Sequence, residues 1–273
     1  MSKMTKKIAV KEIVIATVIA VLLAALDLAV LPSSLFVDIN AADIEPIYFS
    51  LIVNQWLLIA AGLVAIYFLC PNLVLGLKKA GLRAGLKKYL PSAFILLAVT
   101  TFAYYIGNLG HYGYSPTFWK VLVEVFVYNV SVGFIEELYI RGLLLNIIII
   151  LCARKKNAEF TAIILSSVLF SLGHIPGMID AGIFAIAMRL IWTLMLGIYL
   201  GIIYKKSGNL WIPIIVHALI NFSAISFCFT EQREFPKISV VIIMFTSLAY
   251  GAWSIYDYFK RRRLDGEPQI DEK

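Results

Sequence analysis

The sequence predicts an all-α fold, a polytopic transmembrane bundle of about eight helices with both termini on the cytoplasmic side. Three observations predict it. Apolar residues make up 61% of the 273-residue chain and charged residues only 15%, and mean hydropathy is +0.87, which sets the chain apart from ordinary soluble domains. The apolar residues also fall in runs of roughly 20, the length that crosses a bilayer core as a helix. Finally, the basic residues gather in alternate connections between those runs, as they do in cytoplasmic loops.

Taken in order, the expected spans are 8–31, 47–70, 90–109, 118–151, 160–175, 182–204, 210–229 and 238–259. The first follows Lys3, Lys6, Lys7 and Lys11; the stretch "AVLPSSLFVD" after it resembles a cleavage site only weakly, so the run reads as an uncleaved span. An acidic loop with Asp38, Asp43 and Glu45 comes next, then the basic "GLKKAGLRAGLKKYL", which is expected to serve as a topogenic loop at the membrane surface. The alternation continues through the uncharged "GNLGHYGYSPT", the basic "ARKKN", a loop holding Asp180, the basic "YKKSGN", the mixed "TEQREFPK" and a terminal "KRRR". The net charge of +7 is therefore assigned to cytoplasmic loops, and no nucleic-acid partner is expected. Cys70, Cys152 and Cys228 are scattered and read as packing residues. The polar tail "LDGEPQIDEK" is expected to be disordered.

Three regions are expected: 1–115, holding the first three spans and the basic surface loop; 116–230, holding spans four to seven; and 231–273, holding the last span and the tail. The fourth span is anomalous. From Phe118 to Cys152 it would run about 50 Å as an α-helix, against a hydrocarbon core of about 30 Å. It must tilt, bend or break, and Gly133 and Gly142 are its candidate bend points.

Ionised groups in hydrocarbon cost at least about 2.5–3.5 kcal/mol each, so the polar residues inside the spans are the informative ones. Glu137 and Arg141 are spaced i, i+4 with the acid first, the favourable order for a helical ion pair. Glu136 points about 100° away around the helix, which leaves it free to exchange a proton as a general base must. His174 ends the fifth span, with Pro176 after it, and His217 and Asn221 share one helical face at i, i+4. A histidine N–H and an asparagine amide aimed at one point can hold a developing oxyanion. The residues alone do not choose between His174 and His217 as the partner of Glu136. Asp27, Glu124 and Arg189 are expected to be structural or cavity-lining, and His111 to be a packing residue in its loop. No HExxH helix, GxSxG elbow, Walker loop or paired-aspartate pattern is present.

Three motifs in order, Glu136-Glu137-x-x-x-Arg141, Phe170-x-x-x-His174 and His217-x-x-x-Asn221, resemble the signature of the CAAX prenyl protease and bacteriocin-processing family of intramembrane proteases, the CPBP or Abi family. "YIRGLL" and "GNLWIPIIVH" fit it too, and the resemblance covers roughly residues 118–225. It implies a glutamate-dependent intramembrane endopeptidase. In this reading Glu136 with His174 activates a water, His217 and Asn221 stabilise the oxyanion, and Glu137 and Arg141 support the site. No cofactor is expected; zinc, held by two histidines and a glutamate, is the alternative.

The resemblance further implies a peptide or protein substrate reached within the lipid bilayer, with other membrane proteins as partners or targets. The Ile- and Lys-rich composition points to a bacterial cell membrane, and to peptides or membrane proteins rather than prenylated tails. Two other functions compete: a non-catalytic scaffold of the same fold, and a transporter, for which no interrupted helices occur in corresponding halves. One geometric condition attaches to a shared site. At 1.5 Å per residue His174 lies about 20 Å and His217 about 10 Å along their spans from the basic side, so tilt or short half-helices must bring them to one depth.

Overall fold

A computed structural model describes residues 8–28, 44–110, 118–155, 157–178, 182–229 and 237–264. Among them every regular element is helical, with no strand. The helices are α1 (Val10–Leu28), α2 (Ile44–Leu69), α3 (Leu82–Gly107), α4 (Phe118–Glu137), α5 (Asn146–Leu151), α6 (Ala158–Leu172), α7 (Gly182–Ser207), α8 (Trp211–Phe222) and α9 (Lys237–Leu264). A π-helical segment, Leu138–Leu145, joins α4 to α5. His111, the acidic loop at Asp38 and Asp43, Asp180 and the polar tail lie outside the described residues.

Four helical stretches, Tyr48–Leu69, Leu82–Gly107, Gly182–Ser207 and Lys237–Arg261, are long and apolar enough to cross a membrane. Many of their outward side chains are large and apolar, including Phe68, Phe94, Phe102, Ile183, Phe245 and Trp253. Such a surface suits lipid and would be a liability in water. The chain is thus a helical membrane bundle.

The basic stretch after α2 differs from expectation. Instead of running along the surface to residue 90, it turns into α3 at Leu82. Leu82, Leu86 and Tyr89 pack against a core that includes Ile212 and Val216 of α8, so burial of these side chains starts the helix early. The residues just before are tied down as well. The Asn209 amide donates to the carbonyls of Lys78 and Ala80 at 2.7 and 3.1 Å, while its Oδ1 accepts the Trp211 N–H at 3.0 Å and caps α8. Pro213 sits in the first turn of α8, where the missing N–H has no intrahelical partner to lose.

Opposite charges join the far ends of α7 and α9. Lys206 meets Asp257 at 2.7 Å, Arg261 meets Asp257 at 2.9 Å, and Lys205 lies 3.7 Å from Glu159 at the start of α6. The basic clusters of three connections thereby gather on one side of the bundle, the arrangement the charge alternation predicts.

The long fourth segment stays helical but changes its winding, with Gly133 inside α4 and Gly142 inside the π-helical turns. The π-helical turns leave carbonyls imperfectly paired, and the Asn146 side chain collects them. Its amide donates to the carbonyls of Arg141 and Gly142 at 3.3 and 2.9 Å and to the Tyr204 hydroxyl at 2.9 Å. Tyr204 in turn donates to the Leu75 carbonyl at 3.1 Å. A polar residue in an apolar run is thus accounted for by the winding it stabilises.

Gly133 is needed for close approach. A Cβ there would lie 3.0 Å from both the Ala218 nitrogen and the Ile214 oxygen of α8, backbone atoms that cannot yield without moving the helix. Gly133→Ala is therefore expected to destabilise the protein by about 1–3 kcal/mol. It should also lower activity about a hundredfold by displacing α8 from α4. Thermal unfolding in detergent and a cleavage assay check the two halves of this expectation; an active, wild-type-stable variant contradicts it.

Candidate active site

The last turn of α4 presents two acids in different surroundings. Glu137 points inward and is fully buried, as is Arg141 in the π-helical segment; the Arg141 Nη1 donates to the Glu137 Oε1 at 2.7 Å. This is the i, i+4 contact that the spacing predicts. Arg141 Nη2 donates to the Gly197 carbonyl of α7 at 3.0 Å, and its guanidinium lies 4.8 Å over the Phe170 ring of α6. Glu136 keeps 15% of its side chain accessible and faces a cavity of about 340 Å³.

His217 of α8 stands between the two acids. Its Nδ1 is 2.9 Å from the Glu137 Oε1 and its Nε2 is 3.4 Å from the Glu136 Oε2. An ionised carboxylate only accepts hydrogen bonds, so Nδ1 carries the hydrogen toward Glu137 and Nε2 turns to Glu136. Glu137 therefore orients His217, and Arg141 holds Glu137. The formal charges of the group balance: with His217 as imidazolium, two anions, Glu136 and Glu137, face two cations, His217 and Arg141.

His174 follows the end of α6. Its Nδ1 is 2.9 Å from the Phe170 carbonyl, which leaves Nε2 as its free ring nitrogen. The Phe170 ring packs edge-on against both histidines, with centroids 4.9 Å from His174 and 5.7 Å from His217. Glu136, His174, His217 and Asn221 all line the same cavity. The two histidines do come together, and both helices that carry them to the cavity are short, 15 and 12 residues. No ion pair links His174 to Glu136 among the described residues, whereas His217 contacts it directly. Among those residues no group of three His, Cys, Asp or Glu side chains is arranged to hold a metal ion.

Two further polar residues expected to be structural or cavity-lining take such places. Arg189 of α7 lines the cavity beside the motif residues, its guanidinium 4.5 Å over the Trp192 ring. A lone arginine in mid-span was the available signal, but a cavity-lining place and a merely structural one read alike in sequence. Asp27 of α1 accepts hydrogen bonds from the Gln55 amide and, at 3.3 Å, from the Tyr139 hydroxyl, and so ties the first two helices to the residue that follows the motif acids by two positions.

Fold and site together define a membrane-embedded helical protein with acid–base side chains around one cavity. Residues 118–223 match the family described as type II CAAX prenyl endopeptidase Rce1-like. This segment, which holds all three motifs, is what the chain shares with that family. Comparison with curated proteins found no match.

Proposed function

We propose that the protein is a glutamate-type endopeptidase of the bacterial cell membrane that hydrolyses a bond in a membrane-associated or secreted peptide. The observation that carries this reading is one cavity lined by Glu136, His174, His217 and Asn221, with Glu136 partly open to it and its neighbours pinned by a buried ion pair. Glu136, aided by His174, takes a proton from a water whose oxygen attacks the scissile carbonyl carbon. The negative charge that develops on the carbonyl oxygen is met by the His217 Nε2–H and the Asn221 amide. When the tetrahedral intermediate collapses, the C–N bond breaks and the proton held by Glu136 passes to the leaving amine, so one water is consumed and an acid and an amine are released.

His217 has a second possible duty. Its Nε2 lies 3.4 Å from Glu136, close enough for the water-activating pair to be Glu136 and His217, with His174 on the oxyanion. The two assignments separate on mutation: loss of an oxyanion donor costs about 10²–10³ in kcat, and only loss of the base partner also shifts the acid limb of the pH–rate profile. His174→Gln and His217→Gln are each expected to be at least about a hundredfold slower, and their pH profiles assign the roles.

This mechanism uses protein groups alone. Treatment with EDTA or 1,10-phenanthroline is expected to leave the rate unchanged, and metal analysis of active protein to find no stoichiometric zinc. Inactivation restored by added zinc would establish the metal alternative.

The reading is tested by comparing membrane and secreted peptides from cells carrying the wild-type protein or Glu136→Gln at matched abundance. A precursor that accumulates only in the variant supports catalysis and identifies a substrate. Identical peptide profiles alongside an intact phenotype would support the scaffold instead.

A further inference from the structure

We propose that Arg189 binds a carboxylate of the substrate, so that the peptide carries an acidic side chain or its own C-terminal carboxylate close to the bond that is cut; this rests on the endopeptidase reading above. An arginine in a membrane-spanning helix is costly unless something compensates it. The other charges near the site have partners: Arg141 has Glu137, His217 has both glutamates, and Asp27 has Gln55 and Tyr139. The Arg189 guanidinium has no hydrogen bond or ion pair among the described residues, and its Nε is buried with no acceptor. Trp192, one turn along α7, covers one face of the guanidinium at 4.5 Å. Such stacking fixes the plane and leaves the N–H edge, the part that fits a carboxylate, unused.

The position of Arg189 indicates which carboxylate can reach it. A second cavity of about 430 Å³ also includes Glu136 in its lining and is walled by apolar residues of α1 and of the π-helical segment, such as Ala24 and Leu144. Glu136, Phe170, His174 and Arg189 line both this cavity and the first one. A peptide laid across their junction would bring a carbonyl to Glu136 and a neighbouring anionic group to Arg189. The apolar cavity would accept an adjoining apolar side chain.

The test uses purified protein in detergent and synthetic peptides that copy a site cut in the wild-type strain but not in Glu136→Gln. Each peptide is made as the free acid and with its carboxylate removed, by C-terminal amidation in one series and by Asp→Asn or Glu→Gln in the other. Wild-type protein is expected to cut the acid form about tenfold or more faster than one of the two neutral forms, and the series that responds identifies the source of the carboxylate. Arg189→Gln should erase this preference while retaining residual cleavage of the neutral peptide, and Arg189→Lys should keep part of it. Equal rates for acid and neutral peptides with the wild-type protein overturn the proposal and leave the protease reading intact. So does an Arg189→Gln effect that is the same on both forms, which would place Arg189 on the oxyanion or in the fold. If no site depends on Glu136, the protease reading itself fails and this inference with it. The acid–neutral comparison on wild-type protein decides the matter even if an Arg189 variant does not accumulate.

Discussion

Glu136→Gln is expected to lower peptide cleavage by about 10²–10⁴-fold, the range for loss of a general base, with abundance and unfolding temperature close to wild type. The substitution keeps the shape of the side chain and removes its charge and its ability to take a proton. Glu136 is the acid that faces the cavity, and its contact with His217 at 3.4 Å is long for a hydrogen bond, so the fold loses little. Glu137→Gln should behave differently. That residue is fully buried and accepts from Arg141 at 2.7 Å and His217 at 2.9 Å, so its loss should lower both stability and rate. Cleavage assays and thermal unfolding on the two purified variants check the contrast; equal stability losses would mean that the two acids are not divided in the way described.

Arg141→Ala is expected to destabilise the protein by about 3–5 kcal/mol, because it leaves Glu137 buried without its cation. It also removes the stack on Phe170, whose ring holds both histidines, and the bond to the Gly197 carbonyl. The double substitution Glu137→Gln with Arg141→Gln should be less damaging than the sum of the singles, since neither partner is then left as an uncompensated charge. A denaturation cycle over wild type, both singles and the double gives the coupling; strict additivity would show that the pair does not act as a unit. Low abundance of Arg141→Ala in membranes is the corresponding outcome in cells.

Much of the fold was legible because its signals are local. Apolar runs of membrane length mark the helices, and the basic connections gather on one side, where Lys206, Asp257 and Arg261 now join the ends of α7 and α9. The start of α3 was misplaced because the lysines of its first turns look like loop residues, while the leucines between them pack on α8. The fourth segment was recognised as too long for a simple span. Its solution as a π-helix depends on Asn146 reaching Tyr204, 58 residues away, and hydropathy has no access to such a contact.

The sequence by itself determined whatever lies within one helical turn. Glu137 with Arg141 and His217 with Asn221 follow from the 3.6-residue repeat, and so does the divergence of Glu136 from its neighbour. Only the tertiary structure decided what meets across helices. It set His217 between the two glutamates, turned the His174 Nδ1 to its own helix, brought both histidines to one cavity, and placed Arg189 in its lining. The reason is physical. Spacing along a helix sets the angle between its own side chains, but the rotation and depth of one helix against another come from packing, here from contacts as close as Gly133 against the backbone of α8.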